Sequence, residues 1–145
     1  MNDTFILREN ENKFYPVSED EIKEVEDSIK LEIPKELKKF YKEFGYGFIS
    51  GTEGNINRIM DPYSIRDFRL RKNDFEYYPD IEIYDEFEEG KIIFFEGNET
   101  TLLSIEISND DTSNVYYYDT KIASSLKEFL INLQKDDNYY IDLLD

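Results

Sequence analysis

Cysteine, histidine and tryptophan are absent from this chain of 145 residues, and glycine and proline are scarce, at 6 and 4. Without cysteine there are no disulfides, thiol nucleophiles or thiolate zinc sites, and nothing marks the redox compartment. Without histidine there is no Ser-His-Asp or Cys-His machinery, no imidazole ligand and no side chain titrating near neutrality by default. Catalysis would have to come from carboxylates, Tyr, Lys, Arg or a hard metal held by carboxylates. No apolar run approaches membrane-spanning length. The opening Met1-Asn2-Asp3-Thr4-Phe5 lacks the basic and apolar regions of a signal peptide, so a cytoplasmic location without membrane association is expected.

Acid is what the chain has in excess. Its 34 Asp and Glu face 17 Lys and Arg, a net charge of −17. Phosphate recognition needs clustered cations, so direct binding to nucleic acid or anionic lipid is disfavoured and a basic partner favoured. Ile, Leu, Val and Phe number 17, 11, 3 and 11, enough apolar mass for one folded domain despite the charge.

Thr4–Arg8 is a short extended candidate. Ser18 and Glu21 have capping-box spacing, with Val17 and Ile22 at roughly staple reach, and Ile22, Val25 and Ile29 repeat at helical spacing behind them. Pro34 suits the first turn of a second helix, whose apolar face is Leu37, Phe40, Tyr41 and Phe44 and whose stop is Gly45. Gly45, Gly47, Gly51 and Gly54 follow a helix instead of opening one, so they predict a cap and a turn, not a phosphate loop. Ile56–Met60 is a strand candidate, and Ser64 is placed to cap a short helix bearing Ile65 and Phe68. Arg58, Arg66, Arg69, Arg71 and Lys72 outnumber Asp61 and Asp67 here, in what is taken as the only locally basic stretch. Internal ion pairs are the expected use of these cations.

The second half is mainly β in character. Lys91–Glu96, Thr101–Ser108 and Val115–Tyr118 predict an antiparallel meander, separated by Gly97-Asn98-Glu99 and the polar Asn109–Asn114. Tyr116, Tyr117 and Tyr118 on that last strand should alternate faces, with Tyr117 opposite its neighbours, packing in the sheet or offering rings to a ligand. A last helix is expected from about Ile122 to Gln134, carrying Leu126, Phe129, Leu130 and Leu133 on one face. The acidic tail from Asp136 to Asp145 holds enough Tyr and Leu to fold back. The fold class predicted is α+β: one domain over residues 1–145, its mainly antiparallel central sheet packed by N-terminal and C-terminal helices.

The segment Asn73–Glu99 concentrates ten acids against Lys91 alone, about half the net charge. Tyr77, Tyr78, Tyr84 and Phe87 are interleaved with them. Three uses are open. One is a solvated loop with aromatic anchors. Another is a surface for a basic protein, with Asp74, Glu76, Tyr77, Tyr78, Asp80, Glu82, Tyr84, Asp85 and Glu86 as candidate contacts. The third is a carboxylate site for a hard metal or for glycoside hydrolysis. No calcium-loop spacing is present, and among 34 acids mere proximity is uninformative. No catalytic, cofactor or metal residue is assigned.

The order of motifs resembles the SUKH superfamily, the domain shared by the yeast Smi/Knr cell-wall regulator and many bacterial immunity proteins. The residues that carry this likeness are Ile22–Ile29, Leu31-Glu32-Ile33-Pro34, Leu37–Gly45 and Gly47–Gly51, then Lys91–Glu96, Asn114–Asp119 and Ile122–Leu130. They span about residues 18–133. Gly45-Tyr46-Gly47 stands where family members often have Asn-Gly-Gly, and residues 61–90 match no family motif. The resemblance implies an immunity protein (antitoxin) that binds a cognate basic toxin, often a nuclease, by occlusion without turnover. A general interaction module of the cell-wall-regulator type is the alternative.

Overall fold

The computed structural model describes residues 5, 12–50, 56–97, 101–136 and 138–142. Most of the extended candidate at Thr4–Arg8 lies outside them, as do Gly51, Gly54, Asn98 and Glu99. The chain runs through strand β1 (Lys13–Tyr15), helices α1 (Glu19–Ile29) and α2 (Lys35–Glu43), strands β2 (Tyr46–Ser50) and β3 (Ile56–Ile59), and helix α3 (Pro62–Leu70). Three short 3-10 turns follow, at Asn73–Phe75, Ile81–Tyr84 and Glu86–Glu88. Strands β4 (Lys91–Gly97), β5 (Thr101–Glu106), β6 (Val115–Tyr117) and β7 (Thr120–Ala123) complete the sheet, and helices α4 (Leu126–Lys135) and α5 (Tyr139–Asp142) close the described chain. All seven strands form one antiparallel sheet in chain order. The result is a single α+β domain.

Local chemistry sets the helix starts. Ser18 Oγ accepts the Glu21 N–H at 3.1 Å, and Ser125 Oγ accepts the Glu128 N–H at 3.0 Å. At α3 the cap is Asp61, not Ser64. Asp61 accepts the N–H of Ser64 at 3.3 Å, and Pro62 occupies the first helical position, where its missing N–H costs nothing. Pro34 lies one residue before α2, not in its first turn, and has no capping side chain; its carbonyl accepts the Lys38 N–H at 3.0 Å. Ile122 and Ala123 belong to β7, so α4 begins four residues later than its apolar pattern suggested.

β1 and β2 are the elements that local pattern concealed. Gly45 and Gly47 have φ of +98° and +146°, and a Cβ at either would drive into the backbone carbonyl of Tyr15 or Lys13, so both positions require glycine. Gly47 is thus a strand residue opposite Phe14, not part of a turn. The core lies where the helices meet the central strands. On β4, Ile92, Ile93, Phe94 and Phe95 are all buried, so both faces of that strand are covered. A register shift between Ile93 and Phe95 inserts Phe94 as an extra residue, and both Phe94 and Phe95 meet Phe129 of α4 edge-on.

One buried carboxylate ties distant parts together. Glu36 of α2, 4 % exposed, accepts N–H groups from Ser113, Leu126 and Lys127 at 3.0, 2.8 and 3.0 Å. It therefore serves as a second cap for α4, supplied from another helix.

Candidate partner-binding surface

The acidic segment is built on α3. The Arg71 backbone closes that helix in a left-handed conformation (φ +57°), which turns the chain sharply into the 3-10 turns. Aromatic rings then hold the segment down. Phe68 of α3 meets Phe75, Tyr78 and Tyr84 with edge geometry, at centroid distances of 5.1, 6.1 and 5.7 Å. Tyr84 also stacks on Tyr118 at 6.0 Å, and Phe87 meets Tyr118 at 5.3 Å.

Tyr118 can do this because it does not sit on the strand. β6 ends at Tyr117, and Tyr118 turns out with φ +55°. Face alternation therefore stops at Tyr117, and the Tyr117 and Tyr118 rings stack on each other at 4.7 Å. Tyr117 in turn packs on Tyr140 of α5. The tail does fold back as far as α5: Tyr140 is buried, and the Tyr139 hydroxyl donates to the Ile122 carbonyl at 3.0 Å. Burial, with Tyr118 beside it, pushes the Tyr84 phenol well above its ordinary value, so it stays neutral.

Ionic contacts complete the attachment. Arg71 reaches Asp85 at 2.7 Å and Glu88 at 2.8 Å, while Arg69 donates to the carbonyl of Lys91 at 2.8 Å. Glu88 is buried, and its Oε1 has no hydrogen-bond partner among the described residues. Burial raises its pKa above the ordinary carboxylate value, against the lowering pull of Arg71. These groups line a cavity of about 450 Å³. The basic stretch is used internally elsewhere too: Arg58 pairs with Glu96 and Asp61 at 2.6 and 3.0 Å, and Arg66 with Asp67 at 3.1 Å.

The nine candidate contacts separate into two groups. Glu76, Tyr77, Asp80, Glu82, Asp85 and Glu86 face solvent, and Tyr77 is 87 % exposed. Tyr84, at 6 % exposure, is a core ring, and Tyr78 is a half-buried anchor beside it. The side chain of Asp74 is outside what is described. Ile83, 45 % exposed among the acids, was missed because one apolar residue in a charged loop carries no sequence signal. Among the described residues no group of three or more acids converges to hold a metal ion. No helix among them is long and apolar enough to cross a membrane.

The arrangement is that of an α+β domain which displays an acidic, partly aromatic loop on a buried aromatic and arginine base. The SUKH_6 family model, described as SMI1-KNR4 cell-wall, matches residues 19–130, and the chain belongs to this family. It is also 59 % identical over 145 residues to the immunity protein YxxD of Bacillus subtilis (strain 168), which covers 100 % of this chain and 99 % of that protein. No solved structure matches the chain.

Proposed function

We propose that this protein is an immunity protein that binds and neutralises a cognate toxin, acting by occlusion and not by catalysis. Its 59 % identity to an immunity protein along the full length of both chains supports the role. The outward display of Glu76, Asp80, Glu82, Asp85 and Glu86 is the observation that carries the mechanism. All five are exposed, Asp85 while paired to Arg71, and the arginines of the neighbouring stretch are engaged internally. The partner surface that fits is therefore basic, with a shallow apolar spot for Tyr77 and Ile83. A nuclease needs such a surface to attract its polyanionic substrate, so a nuclease-type toxin is the reading favoured by charge.

Changing Glu76, Asp80, Glu82 and Glu86 together to Gln or Asn should slow association with the cognate toxin about tenfold or more at low salt. It should also flatten the dependence of the rate on ionic strength while leaving far-UV circular dichroism unchanged. Stopped-flow mixing with the toxin encoded beside this gene reads both. Unaltered association kinetics would reduce the segment to a solvated loop. Failure of the unmodified protein to rescue growth or to copurify with that toxin would remove the immunity role itself.

A further inference from the structure

We propose that the groove between α1 and α2 is a second protein-docking surface, shaped for an acidic segment that carries an apolar side chain. Lys35, Lys38, Lys39 and Lys42 of α2 follow i, i+3, i+4, i+7 spacing and share one helix face, opposite the buried Leu37, Phe40 and Tyr41. This is a second basic surface, beyond the arginine stretch expected to be the only one. Neither acid of α2 belongs to it. Glu36 is buried on the start of α4, and Glu43 accepts the Phe5 N–H at 3.4 Å. Like charges at i, i+4 destabilise a helix, yet this chain, with twice as many acids as bases, keeps the Lys35–Lys39 and Lys38–Lys42 pairs.

The lysines do not stand on a bare surface. With Lys23 of α1 they line a groove of about 530 Å³ whose apolar floor is the half-buried Val17 over the buried Ile22. Glu19 and Glu26 lie there too, and Glu26 pairs with Lys38 at 3.1 Å. Five lysines against two glutamates leave the lining three charges positive.

Charge selects the occupant. At long range the whole chain, at −17, repels duplexes, single strands and anionic membranes. A short acidic segment brings less charge, meets the local positive lining and adds apolar contact with Val17. The groove lies across α1 from the toxin-facing side, because Glu24 of α1 already meets Tyr63 and Arg66 of α3 at 3.1 and 3.7 Å. The two surfaces attract opposite chemistries and can be occupied together.

The test uses the full chain and a fluorescein-labelled peptide of alternating glutamate pairs and leucines. Its lysine-for-glutamate counterpart and a single-stranded oligodeoxynucleotide are run beside it. Amide-shift perturbation in the unmodified protein should be confined to Val17 and helices α1 and α2. Affinity should fall about tenfold or more in the K35Q/K39Q/K42Q variant. It should be retained in the variant with Glu76, Asp80, Glu82 and Glu86 neutralised, which separates this surface from the toxin-facing one. Absence of peptide binding, perturbation elsewhere, indifference to the lysines or tighter binding of the oligonucleotide would each overturn the proposal.

Discussion

Replacing Glu36 with alanine is expected to destabilise the protein by about 3–5 kcal/mol, one of the two largest single-residue effects we anticipate. The reason is the number and quality of bonds that end on one carboxylate. Oε1 takes the N–H groups of Ser113 and Leu126, and Oε2 takes that of Lys127. Hydrogen bonds to a charged acceptor contribute about 1.5–3 kcal/mol each when isolated, and these three share one group, so they do not simply add. Ser113 and Leu126 are 1 % and 0 % exposed, which prevents water from replacing the lost acceptor. The carboxylate also places negative charge at the start of α4, where the helix dipole favours it. Glu36→Gln keeps one acceptor oxygen and should fall between the two. Urea unfolding followed by circular dichroism gives the comparison, and the thermal midpoint of the alanine variant should drop by about 10 °C. A loss below about 1 kcal/mol would mean that this three-way tie does not hold the fold together.

Glu36 also shows where sequence reasoning reaches its limit. Its partners lie 77, 90 and 91 residues away, and nothing around position 36 announces them. The helices were legible because their signals are local. Ser18 with Glu21, and the apolar repeats of α1, α2 and α4, express capping and periodicity within a dozen residues. β1 was missed because three residues are too few to show alternation. Gly47 misled for a related reason: the carbonyl that excludes its Cβ belongs to Lys13, across the strand pair. The face alternation expected of the three tyrosines failed at a single dihedral, the left-handed turn at Tyr118, which frees that ring to stack under Tyr84.

For the acidic segment, the concentration of charge was legible in the sequence but the sorting of its residues was not. Its charge was visible, while the division between displayed and anchoring rings depends on Phe68 and Tyr118, which come from elements on either side. Tyr77 and Tyr84 are chemically identical, and only tertiary packing makes one 87 % and the other 6 % exposed. The internal pairing of Arg58, Arg66 and Arg71 was legible, since unpaired arginines amid so many acids would be costly to keep apart. Which acids they meet was not. Glu88 and Asp85 reach Arg71 only because α3 ends in a left-handed turn.

That attachment leads to the other large effect, Arg71→Ala, whose size should depend on pH. At neutral pH the variant leaves the Glu88 carboxylate buried without its cation, for which a loss of about 3 kcal/mol is expected. Glu88 already titrates above the ordinary value of 4.5 because burial disfavours its charge, and Arg71 is the leading influence that lowers it. A carboxyl raised on folding contributes fully below its unfolded pKa and loses that contribution as pH rises through the folded value. Removing Arg71 raises the folded value further and widens the window above 4.5 in which stability is lost. The deficit of Arg71→Ala should therefore be largest near neutrality and shrink toward pH 4.5, where Glu88 is protonated in the folded variant. What persists when Glu88 is protonated is the contact with the exposed Asp85 at 2.7 Å, the bond from Arg71 to the Phe68 carbonyl at 2.6 Å and its position 5.0 Å above the Phe68 ring, together about 1–2 kcal/mol. Adding Glu88→Gln to Arg71→Ala should recover most of the neutral-pH loss, because a neutral amide needs no cation. Urea titrations of the three variants and the unmodified protein across this pH range measure each difference. A deficit constant with pH, or one that Glu88→Gln fails to relieve, would assign the role of Arg71 to packing against Phe68. The consequence for binding is then direct: with Arg71 gone, Asp85 and Glu88 lose their tether, and the displayed acids must be ordered when the partner arrives. That ordering cost should weaken toxin affinity even in conditions where the variant is fully folded.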